Sequence, residues 1–190
     1  MKSSQLSVDK VEFVDIKVST NHNYSGDLSP ALCQLEYEFK GTKFVRSTNL
    51  SYDLDSAEDP RYFIFAIKLN LLQKDQEEDI SLPYQVEIHA RVYMRYKTDK
   101  LHGEERFRAV RATGYGILYG AIREMVSNLT ARAQHGIWFL PAADFNPAAA
   151  AEAKKDEENR LAKLQEQQAS LEIKQSKKRT RKVKAPQSEG

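Results

Sequence analysis

The sequence predicts an α+β fold in which a four-stranded antiparallel sheet is followed by a long amphipathic helix. Apolar residues alternate with a period of two in several segments of the first hundred residues, which indicates strands with one buried face. The apolar period changes to three and four after residue 113, which indicates a helix. Because no long helical pattern separates the strand segments, we expect the strands to be antiparallel.

Three segments alternate clearly. Tyr84–Tyr96 carries apolar residues at its even positions, and Phe63–Leu71 and Ala31–Phe39 carry them at their odd positions. A fourth segment, VEFVDIKVS, changes phase between Phe13 and Val14. An extra residue in one strand produces such a phase change, so we predict a β-bulge there.

The helical pattern predicts one helix of about 20 residues, from near Thr113 to Gly136. Its apolar positions are separated by three and four residues, at Tyr115, Leu118, Tyr119, Ile122, Met125, Val126 and Leu129.

The segment GYGILYG within this helix lacks the GxGxxG spacing and the preceding strand of a dinucleotide-binding loop. Gly116 and Gly120 instead lie one turn apart on the same side of the helix, where they would let another backbone approach closely. We therefore expect this side to pack against a helix of another subunit.

A comparison of areas supports self-association. Four strands of about 10 residues present roughly 600 Å² on one face, and a helix about 30 Å long and 10 Å wide covers about half of it. Leaving roughly 300 Å² of apolar surface in water would forgo about 7 kcal/mol, which is comparable to the stability of a whole domain. This surplus favours a homo-oligomer in which the helices of neighbouring subunits share the sheet face.

Charge and composition divide the chain into residues 1–146 and 147–190. The first segment has 18 Lys and Arg against 20 Asp and Glu, a net charge of −2, and the second has 11 against 7, a net charge of +4. Cys33 is a single cysteine, and neither a secretory signal nor a membrane span is evident, so we expect a soluble protein of the reducing cytoplasm.

The second segment begins with strong helix formers and a weak stripe of Leu161, Leu164 and Leu171, which predicts a free helix or a short coiled coil. A basic run follows, which we expect to be disordered when alone. Nucleic-acid binding, solubility and docking to an acidic protein are three interpretations of this run, which comprises Lys174, Lys177, Lys178, Arg179, Arg181, Lys182 and Lys184.

No catalytic or metal-binding motif is recognisable, so the sequence predicts neither an enzyme nor a metal or other cofactor. The four histidines are dispersed without a ligand spacing. Asp53, Asp55, Glu58 and Asp59 share a loop, but their spacing is not that of a calcium loop. We expect a solvated acidic loop, with partner recognition as its functional alternative.

The segment GIWFLPAADF places large apolar side chains just beyond the predicted helix. Such residues either fill the core or line a binding groove. The sequence alone leaves both interpretations open.

The order of elements, together with LYGAIREMVSNLTARAQHGIWFLPAADF, resembles the SecB family of export chaperones over roughly residues 8–147. The family's long helix carries an aromatic residue, an Arg-Glu pair, Ser and Thr around a leucine, and a late Arg and Gly. An Asn-Phe follows in the family. The matching residues here are Tyr119, Arg123, Glu124, Ser127, Leu129, Thr130, Arg132, Gly136 and Phe145.

The resemblance implies an ATP-independent holdase that forms tetramers as dimers of dimers and holds unfolded polypeptide in apolar grooves. It implies a chaperone domain at residues 1–146, with subunit contacts at Gly116, Tyr119, Gly120 and Arg123. A groove for extended chains needs aromatic side chains and free backbone edges. The candidate client-binding residues are Tyr24, Leu28, Leu32, Tyr52, Leu54, Trp138, Phe139, Leu140 and Phe145.

Two biological roles are consistent with the resemblance. Export members are strongly acidic and deliver preproteins to the translocation motor, whereas a less acidic branch protects the antitoxin of a toxin–antitoxin system. The nearly neutral body and basic tail favour the antitoxin role. Export remains one alternative, and a nucleic-acid-binding protein that uses the basic tail is another.

Overall fold

The computed structural model describes residues 5–24, 42–73 and 82–182, which form an α+β fold. Four strands build one antiparallel sheet, and two helices follow them in the chain. The elements are β1 (Leu6–Thr20), β2 (Thr42–Tyr52), β3 (Tyr62–Gln73), β4 (Tyr84–Tyr96), α1 (Gly103–Thr130) and α2 (Asn146–Lys182), with a short 3-10 turn at Leu54–Ser56.

The strand order is β1-β4-β3-β2, so β3 and β4 lie at the centre of the sheet. Their alternating apolar residues are buried on the helix-facing side, with Phe65, Leu69, Val86, Ile88 and Val92 fully buried. This alternation matches the pleat of the sheet, because successive side chains in a strand point to opposite faces. The four-stranded antiparallel sheet predicted from the sequence is confirmed.

The sequence analysis predicted some of the strands more accurately than others. Tyr84–Tyr96 is a strand with the predicted bounds, and Phe63–Leu71 lies within β3. The register of β1 against β4 shifts between Phe13 and Asp15, which confirms the predicted bulge, and it shifts again between Val8 and Lys10. The predicted strand Ala31–Phe39 lies outside the described residues.

The strand β2 was missed by the sequence analysis. Its helix-facing positions, opposite the buried residues of β3, include Arg46 and Thr48 as well as Phe44 and Leu50. The polar side chains interrupt the apolar alternation that reveals a strand. They are tolerated because Glu152 of α2 accepts hydrogen bonds from Arg46 Nη2 at 3.3 Å and from Thr48 Oγ1 at 3.2 Å.

The helix α1 begins at Gly103, ten residues before the predicted start, and ends at Thr130. The prediction was wrong because the first turns bury arginines among their apolar residues. Arg106 is 2 % exposed, donates to Asp59 Oδ1 at 2.6 Å, and lies 4.8 Å from the Tyr96 ring. Gly136, the predicted end, lies beyond a turn and has φ +75°, a conformation that glycine adopts readily.

The first turns of α2 pack on α1 through a network of charged groups. The Arg111 side chain, which is 6 % exposed, donates to both carboxylate oxygens of Asp156, at 2.5 and 2.9 Å, and also to Glu152. Tyr115 Oη donates to Glu152 at 2.7 Å. Burial, together with the hydrogen bond to Glu152, raises the pKa of Tyr115 to about 12.

Along α2, the only fully buried described side chains are Ala149 and Ala153. Small residues let the two helices approach closely, and charged groups fix their register. Thus residues 147–160, which the sequence analysis assigned to the tail, pack against the body. The helix continues to Lys182, so the basic run is helical as far as that residue, whereas it was predicted to be disordered. Lys184 lies outside the described residues.

We predict that Gly114→Ala destabilises the fold by about 1–2 kcal/mol, despite the helix preference for alanine. A Cβ atom at Gly114 would lie 2.4 Å from Cδ1 of the fully buried Phe65. Urea unfolding would measure the change. In a double-mutant cycle with Phe65→Leu, the second substitution should relieve part of the cost because it removes the clashing ring; strictly additive effects would contradict this packing.

Candidate functional site

The helix α1 covers the sheet obliquely. Near its beginning, the Phe107 ring lies 5.9 Å from Phe63 on β3 and 5.7 Å from Tyr52 on β2. Near its end, Leu129 and the following Ala133 line a cleft with Ile16 of β1. The helix therefore approaches β1 only at its C-terminal end, and the elements described here leave much of β1 uncovered on this side of the sheet.

The uncovered side of β1 is apolar. Val8, Val11 and Ile16 pair with Met94, Val92 and Ile88, which are buried on the helix side of β4. Yet Val8, Val11 and Ile16 are 43 %, 38 % and 41 % exposed. We call this surface the β1 face, and it comprises Val8, Val11, Phe13, Ile16 and Val18.

The β1 face borders an open strand edge. Among the described strands, β1 pairs with β4 alone, so the backbone groups on its other edge have no strand partner in the described part of the chain. The strand has 15 residues, a length of about 50 Å at the usual rise. A long apolar edge strand of this kind is suited to pairing with another chain.

A cleft of about 420 Å³ continues the β1 face at the C-terminal end of α1. It is lined by Ile16, Val18, Thr20, Tyr84, Leu129 and Ala133. Leu129 is 48 % exposed here, although it belongs to the apolar pattern that predicted the helix. The exposed leucine extends the apolar surface from the strand onto the helix.

A second cleft, of about 390 Å³, opens at the other end of the sheet. Ser51, Ile64 and Tyr93 form a cross-strand row on the side of the sheet that faces away from α1. We call it the outer cleft. It is lined by Asp9, Ser51, Tyr52, Asp53, Tyr62, Phe63, Ile64, Tyr93 and Met94.

Cations lie over two tyrosines of the outer cleft, the exposed Tyr62 and the half-buried Tyr93. The Arg95 guanidinium is 4.8 Å from the Tyr62 ring centre and pairs with Asp9 at 3.2 Å. Lys10 Nζ is 5.7 Å from the Tyr93 ring centre. Hydrogen bonds from Lys10, which has the larger effect, and from Tyr93 hold the pKa of the Glu12 carboxyl below its usual value. This carboxyl group therefore stays charged at neutral pH. The cleft therefore has an apolar floor and a charged rim.

Trp138 and Leu140, which were predicted to bind a client, fill the core instead. Each is 1 % exposed, and the Trp138 ring lies 6.0 Å from that of Tyr84. Thr130 Oγ1 accepts a hydrogen bond from the Trp138 backbone at 2.9 Å, which fixes this segment at the end of α1. Of the two interpretations of GIWFLPAADF, core filling applies to these two residues.

The other predicted client-binding residues are partly accessible but do not form one site. Phe145 stacks on Tyr115 with ring centres 4.5 Å apart, and Tyr24 contacts His135 edge-on at 5.2 Å. Phe139 is half-buried, and Tyr52 lines the outer cleft, with Leu54 two residues further on and 48 % exposed. Tyr24 and Tyr52 lie near opposite ends of the sheet. Leu28 and Leu32 lie outside the described residues.

The predicted subunit-contact residues fall into two groups. Gly116 and Gly120 are exposed on the side of α1 away from the sheet, with no heavy atom within 4 Å of an added Cβ in the described chain. Tyr119 Oη and Arg123 Nε instead donate to the carbonyl oxygens of Pro141 at 2.7 Å and Leu140 at 2.8 Å. The tyrosine and arginine therefore fasten the segment after α1 within the same chain.

Part of the acidic loop is also used internally. Asp59 pairs with Arg106 and Arg61, and the hydrogen bond from Arg106 is the main reason that its pKa is lowered. Arg160 of α2 donates to the carbonyl oxygens of Ala57 and Glu58. Hence this loop anchors both helices.

The sequence analysis did not single out the exposed apolar residues of these two surfaces, namely Val8, Val11 and Ile16 of the β1 face and Tyr62 and Ile64 of the outer cleft. The alternation in β1 was a usable signal, but it did not show which strand the helix would leave uncovered. Within the described ranges, no helix is long and apolar enough to cross a membrane.

Comparisons with known proteins find distant similarity to solved structures. No protein-family model matches the sequence, and no curated protein matches it significantly. Among solved structures, the chain is similar to the Mycobacterium tuberculosis Rv1957 SecB-like chaperone, determined in complex with a ChAD peptide from the Rv1956 HigA1 antitoxin. The two share 15 % identity with a TM-score of 0.48, over 73 % of this chain and 88 % of that one.

The chain is also similar to a Streptococcus agalactiae protein of unknown function, with 9 % identity and a TM-score of 0.36. This match covers 73 % of the present chain and 97 % of the other.

Proposed function

We propose that this protein is an oligomeric, ATP-independent holdase that keeps an aggregation-prone antitoxin soluble in the cytoplasm. The observation that carries the proposal is the amount of apolar sheet surface that the described part of the chain leaves open, on the β1 face and in the outer cleft. A protein that binds unfolded segments needs such surface, because burial of apolar side chains is independent of a client's exact sequence. The sequence resemblance to the SecB family supports the same function.

A second copy of the chain is the partner that best fits the β1 face. The face is long, it borders an open strand edge, and its permanent exposure would invite aggregation. Antiparallel pairing of β1 with β1 of another subunit is self-complementary about a two-fold axis. Such pairing would satisfy the edge, extend the sheet and cover the surplus apolar surface.

The outer cleft is the client site that we favour. It lies on the opposite side of the sheet from the β1 face, so assembly through β1 leaves it accessible. Tyr62 and Ile64 are 55 % and 37 % exposed, and they lie two residues apart on the same face of β3. Burial of each large client side chain there would contribute roughly 1.5–3 kcal/mol before ordering costs.

The charges on the outer sheet face favour the antitoxin role over export. On β1, β3 and β4 this face carries Lys10, Lys17, Lys68, Arg91 and Arg95 against Asp9, Glu12, Asp15 and Glu87. Several are paired, including Lys68 with Glu87 at 3.6 Å. The acidic docking surface that export members use is replaced here by a mixed one.

The antitoxin role predicts that genes for a toxin and its antitoxin lie next to the gene for this protein. It also predicts that cells producing the toxin and the antitoxin grow only when this protein is present. Growth of such cells without this protein would contradict the role.

Substitution of Val11 and Ile16 together by Asp should dissociate the oligomer. Burying two unpaired carboxylates costs several kcal/mol, so we expect the subunit dissociation constant to rise by at least about 100-fold. Sedimentation velocity across a concentration series would measure this. Ser19→Asp is the matched control, because Ser19 pairs with Gln85 on the opposite face of the same strand. An unchanged oligomer in the double variant would show that the β1 face is not a subunit interface.

Gly120→Trp tests the second interface of a dimer of dimers. The side chain has open space on a single chain, so the variant should fold. It should separate helices that pack through this side and convert tetramers to dimers, as measured by light scattering coupled to size exclusion. A tetramer that survives the substitution would place the second interface elsewhere.

Tyr62→Thr combined with Ile64→Thr should weaken client holding about tenfold or more while leaving the oligomer intact, because two apolar contacts are lost and threonine retains strand propensity. The measurement is light scattering by a chemically unfolded client enzyme diluted into the protein without ATP. Val45→Thr is the control, since Val45 is 40 % exposed on the outer face of β2 but does not line the outer cleft. If both variants hold the client equally well, the client site lies outside this cleft.

A further inference from the structure

We propose that the β1 strands of two copies pair in one register, with Val11 on the two-fold axis, and that Lys10 and Glu12 select this register. This inference deepens the proposed function and rests on it, because it requires β1 to be a subunit interface. It is carried by the two bulges of β1 and by the order of charges on the outer side of the strand.

The two bulges of β1 sort its side chains onto two faces. Asp9 and Val14 are the extra residues, since the register with β4 passes over both. The apolar residues of the β1 face all lie opposite buried, helix-facing residues of β4. The charged residues that lie opposite the outer face of β4 are Lys10, Glu12, Asp15 and Lys17. Because directly opposite residues of an antiparallel pair share a face, a second β1 strand must match apolar with apolar residues and outer with outer residues.

An axis at Val11 pairs unlike charges on the outer face. Lys10 then lies opposite the partner's Glu12, and by symmetry Glu12 lies opposite the partner's Lys10. Within one chain Lys10 Nζ already donates to Glu12 Oε1 at 2.9 Å. This hydrogen bond is the main reason that the pKa of Lys10 is raised and that of Glu12 is lowered, so both groups are charged at neutral pH. The ammonium group has further protons to donate, and each carboxylate oxygen can accept a second hydrogen bond. The four groups of two chains can therefore form one network.

The same axis covers the exposed apolar residues. Once the bulged residues are passed over, Val8 lies opposite the partner's Phe13. Ile16 lies opposite the partner's Leu6. Each half of the pairing then contains one bulge from either strand, so the two strands stay in phase over this whole length. Val8, Val11 and Ile16, the exposed residues of the β1 face, are all covered.

Registers centred nearer the middle of the strand place like charges together. An axis at Phe13, the midpoint of β1, would set Glu12 opposite the partner's Asp15. It would also set Lys10 opposite the partner's Lys17. An axis at any one of these four charged residues would place that residue opposite its own copy. Like charges directly opposite each other destabilise a strand pair.

A register centred at Ile16 leaves part of the β1 face open. It also pairs unlike charges, because Asp15 would lie opposite the partner's Lys17. The partner strand would end opposite Val11, however, so Val8, the most exposed residue of the β1 face, would stay uncovered. Among these registers, the one centred at Val11 alone combines unlike charge pairs with cover for all three exposed residues.

Cysteine cross-linking of the full chain tests the register. In a background in which the single native cysteine is replaced, Cys33→Ser, the variant Val11→Cys should form an intersubunit disulfide on mild oxidation. Directly opposite Cα atoms lie about 4.5–5.5 Å apart, which is within the range of a disulfide. Phe13→Cys and Ile16→Cys are the matched controls on the same face. Each would lie roughly 14 Å or more from its own copy and should not cross-link.

Non-reducing electrophoresis would measure the cross-linked fraction. Cross-linking at Phe13 or Ile16 in preference to Val11 would overturn the register while leaving β1 as the subunit interface. Cross-linking at none of the three positions would overturn the register together with that interface.

Exchange of charges tests the role of Lys10 and Glu12. Lys10→Glu and Glu12→Lys each place two like-charged pairs across their own dimer, whereas a mixed dimer of the two variants has two unlike pairs. Repulsion within each chain is the same in both cases, so it cancels. We expect the mixed dimer to have a dissociation constant about tenfold or more below that of either homodimer, as measured by native mass spectrometry.

The matched control is a mixture of Asp15→Lys with Lys17→Asp, which an axis at Ile16 would bring together. It should show no preference for the mixed dimer, because these residues lie opposite uncharged ones in the register centred at Val11. Absence of a preference in the first mixture, or an equal preference in the control, would overturn the selection of the register by Lys10 and Glu12.

Discussion

The organisation of this protein depends on the limited area that one helix can cover. The helix α1 crosses the sheet obliquely and buries the alternating apolar residues of the central strands β3 and β4. It cannot also cover both outer strands, because a helix is about 10 Å wide and neighbouring strands are about 4.8 Å apart. The surroundings of β1 and of β2 reflect the sheet area that α1 leaves uncovered.

The two outer strands differ in how the sheet area left by α1 is covered. The helix-facing side of β2 carries Arg46 and Thr48, and α2 covers it with Glu152, which also accepts hydrogen bonds from Tyr115 and Arg111. A polar strand face requires a polar cover, since buried charges must be paired. The corresponding side of β1 is apolar, and the described chain supplies nothing comparable there. The chemistry of the two strand faces thus separates an internal interface from a surface that stays open in the described part of the chain.

Two surfaces with different chemistry result, and they are spatially separate. The β1 face is apolar with an open edge, and the outer cleft is apolar with a charged rim on the other side of the sheet. The proposed assembly and the proposed client holding can therefore be altered by separate substitutions. The candidate residues Tyr24, Tyr52 and Trp138 did not converge on one groove, because the first contacts His135 beyond α1, the second lines the outer cleft, and the third fills the core.

The sequence by itself determined the α+β class, the strand at Tyr84–Tyr96, the bulge near Phe13 and the excess of apolar sheet, because each is a local periodicity or a comparison of areas. The tertiary structure decided which side chains are accessible. Trp138 and Val11 are both large enough to be core residues, yet the packing buries the first and exposes the second. Polar residues that pair across distant elements, such as Arg111 with Asp156, interrupt the apolar pattern in the first turns of α1 and in β2. The pattern therefore did not predict those elements. Those pairings join residues far apart in the chain, and local spacing carries no record of them.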